Sequence, residues 1–469
     1  MRGENGINKN MPKDNAIEEK YIKMTQTSVE RLICSLAVPT IAIMLVSAFY
    51  NMADTYFVGQ ISKNGTSSTA AIGISFSIMS VIQAIGFFFG QGSGNYISRQ
   101  LGAKNYNEAS TMAATGVVTS FLTGLVLGLL GLFYIEKICV FLGATPTVLP
   151  HACKYLKYIF MAMPFMTGSL TLNNQLRFQG SAVHAMIGMM SGAIINVILD
   201  PIFILWMDLG VAGAGLATFI SQGFGFFSLY FATAYSGNVR IYLNDFSPKI
   251  SRFIEIFKGG FPSLCRQGMG GIAMLCLNKE IGIYGDAAIA AMAIATRTAH
   301  ISYSVLIGFG HGFQPVCGFN YGAKLYDRVK RAFWFLVKVG SGVMTFNTVV
   351  AFIWAPQIVA FFRADDPEVI RLGAIALKAQ CLAFPIVGWF TSCSMLCQIT
   401  RQTLKASFLA AARQCLFFIP GLYLLSHIYG LNGIIYTQPS ADILSFLISL
   451  PIGFSVLRGM ERQKEDKKF

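Results

Sequence analysis

Long apolar stretches recur along the whole chain and constrain its fold more than any other feature. A helix that crosses a bilayer needs about 20 mostly apolar residues. Only 12% of the 469 residues are charged and the mean hydropathy is +0.56, whereas soluble domains carry about 25% charged residues. The sequence therefore predicts an all-α polytopic membrane protein. Its spans are expected near residues 33–58, 68–98, 110–135, 151–176, 184–206, 210–235, 258–284, 288–318, 332–362, 372–398, 406–428 and 430–456.

Basic residues are distributed unequally between the loops. If the N-terminus is cytoplasmic, 25 of the 36 Lys and Arg residues lie in segments on the cytoplasmic side and seven lie in the loops opposite. Cytoplasmic loops of membrane proteins carry such an excess, so we expect both termini in the cytoplasm and a location in the bacterial inner membrane. The net charge of +14 is then a topology signal, and we expect no nucleic-acid partner. The polar N-terminus lacks the apolar core of a cleaved signal peptide.

The chain matches itself at an offset of about 220 residues. Leu101-Gly-Ala-Lys-Asn-Tyr106 reappears as Tyr321-Gly-Ala-Lys-Leu-Tyr326, and we interpret both motifs as tight turns with an interfacial lysine. Further pairs in register are Gly90 and Gly92 with Gly310 and Gly312, Ala70-Ala71 and Ile74 with Ala290-Ala291 and Ile294, Pro39 with Pro262, Pro164 with Pro385, and Gly210 and Gly213 with Gly430 and Gly433.

This offset contains six spans, so both copies have the same orientation and form a parallel repeat. We expect twelve transmembrane helices in two six-helix lobes that face each other across a central cavity. The predicted organisation is a cytoplasmic N-terminal segment (1–32), an N-lobe (33–235), a cytoplasmic linker (236–257), a C-lobe (258–456) and a cytoplasmic tail (457–469).

Two acidic residues, Asp54 and Asp200, lie inside predicted spans of the N-lobe. A carboxylate at the centre of a membrane helix costs about 2.5–3.5 kcal/mol on insertion scales, and such acids usually face a cavity and bind or relay a cation. Asn196 lies one turn before Asp200, and Pro201 is expected to perturb the helix there. Tyr50 and Asn51 make the face of Asp54 polar. The pattern indicates ion coupling, with H⁺ and Na⁺ both open.

The remaining polar groups inside spans allow two interpretations. In the first, Arg266 and Arg297 are held by structural hydrogen bonds to helix carbonyls or to an acid. In the second, they line the C-lobe side of the cavity. His300 and His311, three turns apart on one helix face, are either cavity or interfacial imidazoles, or proton sensors. No phosphate-binding loop, zinc-protease motif or paired cysteine motif is present. We therefore expect no cofactor, inert thiols and no enzymatic activity, since no nucleophile–base pair is evident.

Four stretches resemble the MATE family of multidrug and toxic compound extrusion transporters. They are PTIAIMLVSAFYNMADTYFVGQ, IINVILDPIFI, GVAGAGLATFISQ and GGFPSLCRQGMGGIAMLCLN. The chain is most similar to bacterial pumps that lack an acid in the seventh helix. The resemblance implies a cation site formed by Asp54, Asn196, Asp200 and Thr218 with a carbonyl near Ala214, and a bend at Pro39 that couples protonation to drug release. A substrate cavity is expected at Tyr50, Asn51, Asn173, Arg266, Gln267 and Arg297.

The expected function is export of small amphipathic, often cationic compounds across the lipid bilayer by a monomer, in exchange for H⁺ or Na⁺. The alternative is a flippase for lipid-linked oligosaccharides or peptidoglycan precursors on the same two-lobe plan. Such flippases tend to line the cavity with several basic residues, whereas Arg266 and Arg297 are the only arginines that we assign to spans. Arg413, at the start of the eleventh span, is counted with the cytoplasmic basic segment 401–413. The sequence favours the exporter, and leaves open the substrates and the acid that carries the ion at each step.

Overall fold

The computed structural model describes the backbone of residues 14–59, 65–235, 237–362 and 366–465, and it describes no side chain at 14, 15, 47–59, 65–70, 72, 74, 205 or 286. These ranges contain helices and no strand. The α-helices are α1 (Asp14–Gln26), α2 (Val29–Gly59), α3 (Gly65–Gly102), α4 (Tyr106–Phe133), α5 (Ile135–Phe141), α6 (Leu149–Phe178), α7 (Ala182–Pro201), α8 (Val211–Ala232), α9 (Ile250–Ile281), α10 (Asp286–Gly322), α11 (Tyr326–Phe362), α12 (Pro367–Leu382), α13 (Phe384–Ile399), α14 (Thr403–Ala411), α15 (Phe418–Tyr429) and α16 (Leu431–Glu465).

All twelve predicted spans correspond to long helical segments. The N-lobe consists of α2, α3, α4, α6, α7 and α8, and the C-lobe begins with α9, α10 and α11. Its tenth span is the pair α12 and α13, which bends by 49°. The eleventh joins α14 to α15 through a π-helical segment, Ala412–Leu416, and α16 is the twelfth. The two-lobe prediction is confirmed. In the described part, nine of these segments, with the bent pair counted as one, contain a stretch apolar enough to cross a membrane, whereas α6, α9 and α10 have the length of a span without such a stretch.

A second π-helical segment, Ile202–Trp206, follows Pro201 at the end of α7. Proline has no amide hydrogen to donate to the preceding turn, so the regular hydrogen-bond ladder is interrupted there. Such insertions are frequent beside functional residues. The predicted perturbation next to Asp200 is therefore confirmed.

The lobes meet at the end of the molecule where α1 and the last turn of α16 lie, which we call the terminal end. A Cβ atom added to Gly92 would overlap the carbonyl oxygen of Ile256, and one added to Gly260 would overlap that of Phe88. Helix backbones of the two lobes are therefore in direct contact. Three described ion pairs join the lobes at the same end, Arg99–Glu255 at 3.7 Å, Arg252–Glu108 at 3.3 Å and Arg331–Glu30 at 2.6 Å.

Towards the other end, which we call the opposite end, α3 and α9 lose this contact. Gly73 in the first half of α3 and Gly268 and Gly271 in the second half of α9 have no described neighbour within 4 Å of an added Cβ atom. All three glycines are exposed. The described helices thus close the molecule at the terminal end, and the close backbone contacts between α3 and α9 lie towards that end.

Helix α1 lies across both lobes at the terminal end. Lys20 Nζ donates hydrogen bonds to Ser181 Oγ at 2.7 Å, to the Gly237 carbonyl at 3.0 Å and to Asn238 Oδ1 at 2.7 Å, all in the N-lobe and the linker. The Met24 carbonyl, near the end of α1, accepts from Asn320 of the C-lobe at 3.1 Å. The sequence analysis assigned residues 1–32 to a cytoplasmic segment and predicted no helix in it. The structure gives it a helix that contacts both lobes.

Candidate functional site

The two N-lobe helices α7 and α8 enclose a buried polar site. Asn196, Asp200 and Thr218 have no exposed surface, and Ala214 is 1% exposed. Thr218 Oγ1 donates to the Ala214 carbonyl at 3.0 Å. The structure therefore places four of the five predicted cation-site residues on two helices that pack against each other.

Small residues set the spacing of these two helices on either side of the site. A Cβ atom added to Gly192 of α7 would lie 3.0 Å from the Ser221 carbonyl of α8, and one added to Gly213 of α8 would overlap the Phe203 carbonyl. Asn196 and Asp200 lie between these two contacts along α7, while Ala214 and Thr218 lie between them along α8. Close backbone packing thus places the turns that carry these residues side by side.

Carboxylate, amide, hydroxyl and carbonyl oxygens are hard ligands, which suit Na⁺ or a bound proton better than a transition metal. The hydroxyl hydrogen of Thr218 is engaged with Ala214, so Thr218 presents its oxygen to the site as an acceptor. Among the described side chains, no three His, Cys, Asp or Glu residues cluster as they would around a metal ion. A Na⁺ ion held here by described groups would use one carboxylate and several neutral oxygens.

The fifth predicted residue, Asp54, lies in α2, as do Tyr50 and Asn51. Their side chains lie outside the part that the structure describes. The backbone of α2 packs against α7, and both helices begin at the terminal end and carry their acids in the half towards the opposite end. The helix of Asp54 therefore adjoins the site that contains Asp200.

Pro39 is buried in the first half of α2, at a point where this helix touches the C-lobe. A Cβ atom added to Gly312 of α10 would overlap Ala37, and one added to Gly308 would overlap Ile41. These contacts lie two residues before and two residues after Pro39. A change in helix direction at the proline would therefore alter the contact between the lobes.

The predicted cavity residues have different environments. Arg266 and Gln267 in α9 are half-buried and Arg297 in α10 is exposed. Arg266 Nη2 donates to Ser263 Oγ at 3.2 Å, and among the described residues it forms no ion pair. Asn173 is 6% exposed and donates to the Ala185 carbonyl at 3.1 Å, which ties α6 to α7.

A buried hydrogen-bond network joins the lobes below the site, nearer the terminal end. Arg177 Nη1 of α6 lies 2.6 Å from His311 Nδ1 of α10, and Arg177 Nη2 donates to Asn174 Oδ1 at 2.6 Å. Gln91 of α3 donates to Asn174 Oδ1 at 3.1 Å and accepts from Gln314 of α10 at 3.1 Å. We call these five residues the inter-lobe network. The sequence analysis considered His311 alone, although Gln91 and His311 occupy the same place in the repeat.

A second group that the sequence analysis missed is an ion pair inside the C-lobe. Arg413 Nε lies 2.7 Å from Asp442 Oδ1, and Gln438 donates to the same oxygen at 2.9 Å. The guanidinium also lies 4.5 Å from the centre of the Tyr303 ring. Arg413 was assigned to a cytoplasmic basic segment. That assignment is wrong, because the residue is buried between helices. The sequence feature that could have indicated this ion pair is Asp442, a further acidic residue inside a predicted span.

Three comparisons with known proteins agree with this architecture. The MatE family model matches residues 39–202 and 272–424. The multidrug export protein MepA of Staphylococcus haemolyticus is 28% identical over 444 residues, which cover 94% of this chain and 96% of that protein. A crystal structure of MATE in the bent conformation superposes with a TM-score of 0.88 at 23% identity, covering 95% of this chain and 99% of the other. An outward-facing multidrug resistance MATE family transporter of the MOP superfamily superposes with a TM-score of 0.87 at 22% identity, covering 94% and 99%.

Proposed function

We propose that this chain, which belongs to the MatE family, exports amphipathic, often cationic compounds and drives the export by entry of a cation. The observation that carries the proposal is the buried group of Asp200, Asn196 and Thr218 between α7 and α8. The name of the MepA relative, a multidrug export protein that aligns along almost its whole length, supports the exporter. Nothing comparable supports the flippase alternative, and we set it aside.

The buried carboxylate supplies the physical basis of coupling. Taking an ionised carboxylate out of water costs several kcal/mol unless a positive charge compensates it. Entry of H⁺ or Na⁺ at Asp200 removes that cost. A cationic substrate in the cavity is attracted by the same negative charge, so the coupling ion and the substrate oppose each other's binding. Antiport follows from this competition.

Alternating access follows from the way the lobes meet. The excess of Lys and Arg assigns the terminal end to the cytoplasm. The described conformation, with contacts such as Gly92–Ile256 that join the lobes at the terminal end, is then closed towards the cytoplasm. Cation binding at Asp200 would act on the adjoining helix α2, whose Pro39 lies between two contacts with α10.

The surface of α4 supports placement in a lipid bilayer. Leu122, Val126, Leu129 and Phe133 recur at three- and four-residue intervals and are between 47% and 79% exposed. Such a stripe would be unfavourable in water and is typical of a lipid-facing helix.

The test is drug efflux from everted membrane vesicles in which a pH gradient and a Na⁺ gradient are imposed separately. Asp200→Asn keeps the side-chain shape and removes the charge, so it should abolish efflux driven by either gradient while the protein still inserts. Asp208→Asn is the matched control, because Asp208 is exposed and has a positive φ of 51° that asparagine adopts readily. Efflux by Asp200→Asn at the rate of the control would refute the coupling site.

A further inference from the structure

The inter-lobe network has a polar residue of each repeat copy at its centre. Gln91 stands between Gly90 and Gly92, and His311 stands between Gly310 and Gly312. Gly92 and Gly312 allow the backbone of the other lobe to approach, at Ile256 and Ala37 respectively. The repeat therefore brings one polar side chain from each lobe to the contact between the lobes.

The chemistry of the Arg177–His311 contact fixes the protonation state of the histidine. Arginine only donates hydrogen bonds, so His311 Nδ1 must accept through its lone pair. An imidazole with a proton on both nitrogens has no lone pair for this contact. His311 is therefore neutral when the 2.6 Å contact with Arg177 is present.

The surroundings of His311 oppose a positive charge. The charged groups that act on it are Arg177 of α6 and Arg266 of α9. The other helices around it supply uncharged groups among the described side chains, such as Gln91 and the ring of Phe87, which lies 6.4 Å from the imidazole. His311 is 3% exposed. A proton on this residue would place a third positive charge in a buried site without a described acid.

The network is also incompletely satisfied. Arg177 Nε and Gln314 Oε1 are buried and have no hydrogen-bond partner within the described part of the chain. An unmade hydrogen bond in a buried site is unfavourable relative to exposure to water. Parting of the lobes would let water reach these atoms. Separation of the lobes at the inter-lobe network therefore does not break a fully hydrogen-bonded polar core.

We propose that Arg177 and His311 form a proton-sensitive gate at the terminal end, in which protonation of His311 breaks the contact and favours separation of the lobes there. The inference rests on the proposed function, because it requires the lobes to alternate. The gate adds a titratable group in the C-lobe to the acidic residues of the N-lobe. In cellular terms, acidification on the side of the terminal end shifts the transporter towards the state that is open on that side.

The experiment is a distance measurement between spin labels at Ala103 and Leu325, two exposed residues in the repeated turns of the two lobes. The labels are placed in a background without reactive native thiols, whose efflux is first matched to the unmodified protein. As pH falls from about 8 to about 5.5, through the range in which an exposed histidine of the separated state titrates, the long-distance population should increase in the unsubstituted background. Proton linkage to a histidine with an ordinary pKa of about 6.5 in the separated state predicts an increase of about tenfold at pH 5.5.

His311→Gln is the decisive variant, because glutamine can accept from Arg177 and does not titrate. Its distance distribution should stay short across the whole pH range. Gln314→Ala is the matched control one turn away on α10. It breaks the link to Gln91 and should keep the pH response. If His311→Gln does not give folded protein, His311→Asn makes the same test.

Asp200→Asn separates this gate from the cation site. If the gate senses protons through His311, the pH response persists in Asp200→Asn and disappears in His311→Gln. The reverse result would overturn the inference and assign the whole response to the N-lobe acid. Failure of the proposed function is distinguishable, because it would appear as absent gradient-driven efflux whatever the distances show.

Discussion

Gly102 at the end of α3 lies directly against the carbonyl oxygen of Phe319 in α10. The repeat produces the reciprocal contact, since Gly322 lies against the carbonyl oxygen of Arg99. In each case the glycine of one Gly-Ala-Lys motif meets the backbone three residues before the glycine of the other. The motifs therefore do more than turn the chain, because they form a two-fold contact between the lobes.

The first prediction concerns this contact. Gly102→Ala would place a methyl group into the Phe319 carbonyl, and overpacking of this kind costs about 1–3 kcal/mol. Closure at the terminal end should weaken, so that efflux slows and the melting temperature of the purified protein falls. Gly271→Ala is the control, because a Cβ atom there meets nothing described within 4 Å and alanine stabilises a helix by about 0.5–1 kcal/mol relative to glycine. Equal behaviour of the two variants would contradict the contact.

The second prediction concerns Pro39. Pro39→Ala restores a backbone donor and removes the steric cause of a bend in α2. Turnover should fall, because Ala37 and Ile41 would no longer move relative to Gly312 and Gly308. The affinity for a fluorescent cationic drug should stay the same. Efflux rates and equilibrium binding on the same preparation make the check. Unchanged turnover would remove any mechanical role from this proline.

The third prediction concerns Arg413 and Asp442. Removal of one partner leaves a buried, uncompensated charge and costs about 3–5 kcal/mol. Arg413→Met and Asp442→Leu should each lower thermal stability strongly, whereas the double variant should recover much of the loss because no charge remains buried. A double-mutant cycle on melting temperatures measures the coupling. Additive losses would show that the two side chains do not stabilise each other.

The fourth prediction concerns Lys20 and the docking of α1. Burial, with a smaller contribution from the charge of Lys23, lowers the pKa of Lys20 from 10.5 to about 7. When α1 is undocked, Lys20 regains its ordinary pKa and keeps its proton up to about pH 10.5. Between these two values the docked Lys20 is a neutral amine that can still donate two of its three hydrogen bonds, while the undocked form is protonated. Docking therefore strengthens as pH rises through this window and weakens as pH falls towards 7.

Hydrogen–deuterium exchange of residues 14–26, corrected for the intrinsic pH dependence of exchange, measures this effect. Protection should increase from about pH 7 to about pH 9 in the unmodified protein. Lys20→Met should flatten the profile. Lys23→Met is the control, since it removes only the smaller contribution and should leave most of the pH dependence. A flat profile in the unmodified protein would contradict the shifted pKa.

The sequence predicted the spans well because a long apolar helix is a local property, visible in composition alone. It also predicted the turns after Gly102 and Gly322, where Lys104 and Lys324 have positive φ values of 61° and 60°. Asn196 and Asp200 follow from helix periodicity. The prediction that Thr218 joins them rested on the resemblance to a family, because this arrangement depends on the packing of α7 against α8.

Other features could not be read from the sequence. Helix α1 is polar and only 13 residues long, so it depends on contacts such as Lys20–Ser181 rather than on helix propensity. The contact between Arg177 and His311 joins residues 134 positions apart. No local pattern specifies such a partner. The equivalent repeat positions of Gln91 and His311 were the only sequence feature that indicated a place at the contact between the lobes.

The bend between α12 and α13 makes the two lobes mechanically unequal. Pro164 and Pro385 are repeat partners, yet α6 continues through Pro164 while the corresponding span of the C-lobe turns by 49° just before Pro385. In a parallel repeat, exchange of conformations between the lobes would give a molecule open at the same end as before. Internal symmetry therefore cannot generate the state open at the terminal end. That state requires rotation of one lobe against the other, and the unequal tenth span means that each lobe contributes its own elastic response to the rotation.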